Sequence, residues 1–218
     1  GNVLLKRTRV KMLEACQSGE TKVVQLLLEH CNSEENGLNT KDEEGWTPFM
    51  EACFHGHKDI VKLLLEHFDL NIDLNARNNG DYGWTPFMWA CWNGHKDVVK
   101  LLLDQYKRIE LNAKTHLGST AFMWACWNGR KDVVQLLLDH SKRIELNARS
   151  NNGRTALMYA CCTQYALRNS RNKDVVQLLL NHSDPRIDLN VKDNNGRTAL
   201  MIATQKSIVK LITAKLNP

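Results

Sequence analysis

Short apolar stripes at helical spacing recur along the chain in pairs, each pair divided by a glycine and followed by a polar stretch. One stripe runs Phe87, Ala90, Cys91 and Gly94, at i, i+3, i+4 and i+7, the spacing of a single buried helix face. Its small residues predict that neighbouring first helices approach closely. A second stripe, Val98-Val99 with Leu101-Leu102-Leu103, follows at once and predicts a second helix whose apolar side meets the next unit. Thr85 opens the first helix as an N-cap, and Pro48 and Pro86 stand at the first helical position, where the missing N–H costs nothing. Gly56 and Gly94 are expected to make the turns between helices. Asp59, Asp97, Asp132 and Asp174 are expected in the first turn of the second helix, and His67, His140 and His182 near its last turn, as the helix dipole favours.

The paired pattern is a repeat. Gly45-Trp46-Thr47-Pro48-Phe49-Met50 aligns with residues 83–88, 118–123, 153–158 and 196–201, each with an alanine five residues after its threonine. Those alanines are Ala52, Ala90, Ala125, Ala160 and Ala203, and Ala15 marks a sixth, degenerate copy. A period of this length predicts a stacked solenoid. The expected fold is therefore all-α, about six helix–turn–helix units in one domain over residues 1–218. The approximate units are 1–38, 39–76, 77–111, 112–146, 147–189 and 190–218, with the first and last as caps.

The repeated Gly-x-Thr-Pro-Phe-Met, Gly-His-Lys-Asp, Val-Val-Lys-Leu-Leu-Leu and Leu-Asn-Ala segments resemble the ankyrin-repeat family over nearly the whole chain. The resemblance implies an all-α solenoid of helix pairs joined by hairpin-like loops, with a concave face where protein partners bind. Met50, Met88, Met123, Met158 and Met201 replace the family's usual histidine, so methionine must fill that space apolarly. The polar segment Ser141-Lys142-Arg143-Ile144-Glu145 replaces the usual Gly-Ala-Asp and lengthens the period. The fifth unit carries extra residues around Tyr165–Arg171, read as a longer first helix or a loop, and the last unit is shortened, with Lys206, Lys210 and Lys215 on a solvated surface.

Composition removes several classes of function. With 43% hydrophobic and 24% charged residues in 218, the chain has an ordinary globular make-up. It has no apolar run near the ~20 residues that span a bilayer and no recognisable signal peptide at Gly1-Asn2-Val3. Residues 1–100 hold 11 basic and 15 acidic side chains, whereas residues 101–218 hold 18 and 9. The acidic half would repel phosphate, which disfavours nucleic acid as the partner. Among the seven cysteines, Cys16, Cys53, Cys91, Cys126 and Cys161 follow the aligned alanines and read as small buried helix residues. Cys162 takes a groove position. Free thiols point to an intracellular, cytoplasmic or nuclear chain.

No phosphate loop, HExxH or nucleophile elbow occurs, so neither an enzyme nor a cofactor is expected. His55-Gly56-His57 sits where other units read Asn93-Gly94-His95 and Asn128-Gly129-Arg130, which argues for a turn rather than a metal pair. The signal lies in the aromatics. Trp46 and Trp84 precede the cap threonine, Trp89 and Trp124 lie four after it, and Trp92 and Trp127 seven after it. These helix positions point away from the small-residue stripe, so an exposed aromatic groove is expected. Phe54, Tyr82 and Tyr159 extend it, with Glu51 and Arg154 at its margins. Trp and Tyr are favoured binding anchors. The expected function is a monomeric, non-enzymatic module that holds a peptide or protein, away from any membrane. Trp84, Trp89 and Trp124 also resemble the methyl-lysine cage in the ankyrin repeats of euchromatic histone lysine methyltransferases. Trp92 there replaces an acid that Glu51 would have to supply. A structural spacer within a larger protein is the third reading. Charge differs along the groove, Glu14, Glu43, Glu44 and Glu51 against Lys114, Arg149, Arg154, Lys192 and Arg197, which would orient a bound segment.

Overall fold

The structure, a computed structural model, describes residues 2–30, 37–67, 71–162, 169–183 and 187–216. Twelve helices lie among them as six consecutive pairs, and no strand does. The pairs are α1 (Asn2–Ser18) and α2 (Thr21–His30), α3 (Pro48–His55) and α4 (Lys58–Glu66), α5 (Pro86–Asn93) and α6 (Lys96–Asp104). They continue as α7 (Ala121–Trp127) and α8 (Lys131–Asp139), α9 (Ala156–Cys161) and α10 (Asn169–Asn181), α11 (Ala199–Ile202) and α12 (Lys206–Leu216). The chain divides into two compact units, one of residues 1–90 and 97–110, the other of residues 91–96 and 111–218.

The first helices start where side-chain chemistry dictates. Thr47, Thr85, Thr120 and Thr198 each accept from the backbone N–H three residues on, at 3.2, 3.3, 3.4 and 3.5 Å, satisfying a donor the helix cannot. Thr155 holds the same extended backbone but makes no such bond. Gly56 ends α3 with φ 79, and its neighbour His57 N–H bonds the Ala52 carbonyl at 2.9 Å. Of the second helices, α4, α6 and α8 have their aspartate in the first turn as expected. In α10 the helix begins at Asn169, so Asp174 sits a turn further in. Buried Asn172 anchors the added turn by donating to the Ala160 carbonyl at 3.1 Å. The remainder of the expected insertion, 163–168, lies outside the described residues, as does Cys31.

The core is the paired stripe. Phe49, Phe87, Phe122 and Leu157 are buried with Cys16, Cys53, Cys91, Cys126 and Cys161 between them. Met50, Met88, Met123 and Met158 are at most 1% exposed, and Met201 stands apart at 68%. The turns before the first helices share one design. Asp42, Asn78, Thr115, Ser150 and Asp193 each accept on their side chain from a backbone N–H four to six residues on, at 2.8 to 3.2 Å. Such side chains mimic a backbone turn. Gly118 closes one of them at φ 73, where a Cβ would lie 2.7 Å from the Asn151 nitrogen, so only glycine fits.

A second device stitches the polar loops together. Asn39 accepts from Asp73 N–H at 2.7 Å and donates to the Asn71 carbonyl at 2.9 Å. Asn75 does the same to Glu110 and Arg108 at 2.8 Å each, and Asn112 to Glu145 and Arg143 at 2.9 Å each. Asn147 accepts from Asp188 N–H at 3.2 Å. Asn39, Asn75 and Asn112 thus each satisfy two backbone groups in the following loop, which would otherwise lack partners.

Candidate functional site

The expected site residues fall into two aromatic clusters, one in each unit. In the first, Trp46 and Trp84 stack on Trp89, with ring centroids 4.9 and 4.3 Å away. Phe54 meets both Trp46 and Trp89 edge-on at 5.2 Å. Exposed Tyr82 stands 6.5 Å from Trp84. The Trp46 backbone is held by the Asp42 carboxylate at 2.8 Å, so the turn sets where this ring enters. The Trp89 indole nitrogen is enclosed and finds no hydrogen-bond partner among the described residues, a state that costs roughly 1–3 kcal/mol.

The second cluster joins Trp92, Trp124, Trp127 and Tyr159. Trp92 meets Trp124 and Trp127 edge-on at 5.5 and 5.7 Å, and Trp124 lies 5.1 Å from Trp127. Tyr159 lies 5.8 Å from Trp124, and its hydroxyl shares a buried 2.7 Å hydrogen bond with Ser119. The Trp92 carbonyl accepts from Asn128 and Arg130 at 2.7 and 2.8 Å, which fixes the end of its helix.

These positions correct the expected open groove. Trp84 is 5% exposed, Trp124 3%, Tyr159 9% and Glu51 7%. Trp46, Phe54, Trp89, Trp92 and Trp127 are half-buried. The rings do leave their own helix's small-residue stripe, but within each cluster they cover one another. Such rings hide 150–250 Å² apiece, and offset or edge-on pairs add roughly 0.5–1.5 kcal/mol. Each cluster therefore has a buried floor of Trp84 or Trp124 and a half-open rim. Trp84 and Trp89 stack face on face, so no cation fits between those two rings.

Glu51 gives the first cluster its charge. Its carboxylate lies 3.4 Å from His55 Nε2, and the His55 ring meets Phe54 at 4.9 Å. Burial, then the charges of Asp42 and Glu44, raise its pKa to about 7. The neighbouring His57 bonds the Gln17 carbonyl at 2.9 Å through Nε2, a structural contact. No group of three or more His, Cys, Asp or Glu that would hold a metal occurs among the described residues.

The cationic margin is largely structural. Arg154 lies 3.7 Å from the buried Asp193 carboxylate, which also takes Arg197 at 2.9 Å. Lys114 donates to the Arg149 carbonyl at 3.3 Å, and Arg149 to the Lys192 carbonyl at 2.8 Å. Those charges hold turns and loops in place. The five buried cysteines form no disulfide, and burial pushes the thiols of Cys16 and Cys161 up to about 12. Cys162 is half-buried.

Ankyrin repeats match this chain in three overlapping stretches, residues 12–115, 107–169 and 163–217. The chain therefore belongs to the ankyrin-repeat family, an all-α solenoid class whose members are generally protein–protein interaction modules. No curated protein matches it. No helix among the described residues is long and apolar enough to cross a membrane.

Proposed function

We propose that this chain is a non-enzymatic, intracellular module that acts as a monomer and binds a peptide or protein segment on its aromatic clusters. The observation that carries the reading is the half-open rim of indoles over a buried indole floor, clearest where Trp92 and Trp127 meet Trp124. Fixed aromatic rings offer large contact area at low entropic cost, the character of binding anchors. A displayed random-peptide library is the test. Selected peptides should lose at least about tenfold in affinity against Trp127→Ala, while that variant still melts cooperatively. Undiminished binding, or loss only through unfolding, sinks the reading. A library that yields no ligand would favour a structural spacer.

A second reading has its own support in the first cluster. Trp46 and Trp89 are half-buried beside Glu51, with Asp42 and Glu44 close enough to raise its pKa. Aromatic faces near acidic charge attract cations by roughly 0.5–2 kcal/mol per ring. A lysine or methyl-lysine side chain would lie across the outer face of this stack, not between Trp84 and Trp89. Lysine peptides of rising methylation, titrated against the protein and Glu51→Gln, discriminate; equal affinity for all of them eliminates methyl recognition.

A further inference from the structure

The first cluster is a stack of rings with an end. Trp84, Trp89 and Trp46 follow one another at 4.3 and 4.9 Å. Trp46 also meets Phe54 edge-on at 5.2 Å, and no other ring among the described residues touches it. One face of its half-buried indole is therefore left without an aromatic cover. The repeat register says what stands at that end. Trp89 lies four residues after its cap threonine and stacks on Trp84, which directly precedes that threonine. One repeat earlier the same two positions are Glu51 and Trp46. A carboxyl thus takes the place of an indole where the stack stops.

That carboxyl is poorly served by its surroundings. Glu51 is 7% exposed. Among the described residues no hydrogen bond reaches its carboxylate and no lysine or arginine pairs with it, and His55 Nε2 lies 3.4 Å away. From the turn before α3 it feels the charges of Asp42 and Glu44. Asp42 is held in place by accepting from the Glu44 and Trp46 N–H groups at 2.9 and 2.8 Å. From α1 it faces the Cys16 thiol, which burial keeps neutral, while Arg7, Arg9, Lys11 and Glu14 are exposed. On α4, Lys58 pairs with Asp97 at 3.9 Å, Lys62 with Glu66 at 3.8 Å, and Asp59 is exposed. Helix α5 carries no charged residue. His57 stacks on His55 at 5.7 Å and is tied to the Gln17 carbonyl. A buried carboxylate without a cation is costly, and an aromatic face attracts cations.

We infer that a cationic side chain of the partner docks on the outer face of Trp46 and displaces a proton from Glu51, so that this cluster captures its ligand in exchange for a proton released to solvent. The inference rests on the cation reading of the first cluster proposed above. Charge selects the occupant: an acidic or neutral segment would offer Asp42, Glu44 and Glu51 nothing to offset them. Glu51 titrates at about 7 in the empty site, and an opposite charge beside it favours the ionised form. Cation and proton therefore compete, each weakening the other by the same factor.

Tetramethylammonium chloride is the probe, titrated into the full chain at constant ionic strength set with sodium chloride. The Trp46 indole N–H resonance of isotope-labelled protein reports occupancy. With its midpoint at about 7, Glu51 is ionised roughly ten times more often at about pH 8 than at about pH 6, so affinity should rise by about tenfold between them. Glu51→Gln should bind more weakly and equally at both values, and Trp46→Ala should lose the binding. His55→Gln should keep the rise, which separates the carboxyl from the imidazole beside it. Binding to the parent that is equal at both pH values would overturn the inference and leave the cation reading standing. A rise that persists in Glu51→Gln, or vanishes in His55→Gln, would overturn it in the same way. No binding at either pH would overturn both.

Discussion

Glu51 is a carboxyl group held where water reaches it poorly, with Asp42 and Glu44 near it and His55 Nε2 3.4 Å away. The buried Cys16 thiol feels its charge as well. Its pKa rises from an ordinary 4.5 to about 7, so the folded state binds a proton that the unfolded state releases between those values. Stability attributable to this group is therefore fully present below about pH 4.5, falls as pH rises towards 7, and stays low above it. Glu51→Gln should remove that slope. The variant should be more stable than the parent at pH 8 by on the order of 1–2 kcal/mol, and close to it at pH 4.5. Denaturant melts at both values measure this, and a parallel pH dependence in the two proteins would refute it. Glutamate thus stands at a helix position filled by Trp89 and Trp124 in later repeats, and burying its carboxylate there costs stability.

Among the elements, local signals were legible and distant ones were not. Threonine caps and the 3.6-residue stripes placed the first helices, because both depend on residues a few positions apart. Burial of Trp84 and Trp124 was not legible, since Trp84 stacks on Trp89 from a turn outside the helix and Trp124 also meets Trp92 and Tyr159 of other repeats, and helix geometry speaks only of a residue's own helix. The turn side chains Asp42, Thr115 and Ser150 carried a readable signal, an oxygen-bearing residue three before each glycine, that the helix pattern overshadowed. The asparagine stitches join loops 31 to 41 residues apart, and no short window contains both partners. Asn112→Ala should cost about 1–3 kcal/mol, because the Glu145 N–H and Arg143 carbonyl lose their partner. The exposed control Lys142→Ala should stay within about 0.5 kcal/mol. Equal urea midpoints for the two would show that the stitch adds nothing.

At the scale of the whole molecule, a repeat array is a sum of unit stabilities and nearest-neighbour interfaces, so its ends can loosen before its interior. Asp193 makes the last turn acid-sensitive. Burial alone would raise its pKa, but hydrogen bonds from Arg197 backbone and side chain, and from Asn195, outweigh burial and hold it below the ordinary value. A lowered folded pKa contributes stability above about pH 4 that is lost as pH falls further. Amide exchange at α11 and α12 should therefore quicken below about pH 4 before that at α7 does, and Asp193→Asn should bring the same loosening to neutral pH. Synchronous exchange across both would contradict it. The asparagine stitches carry a last consequence, for how such a chain can grow. Three of them span 34, 35 and 33 residues, and the fourth spans 41 yet holds the same bond. Because closure entropy rises only slowly with loop length, new sequence can enter a repeat between two fixed knots without changing the order in which repeats are sewn. The knots conserve the architecture, and the chain between them is free to diversify.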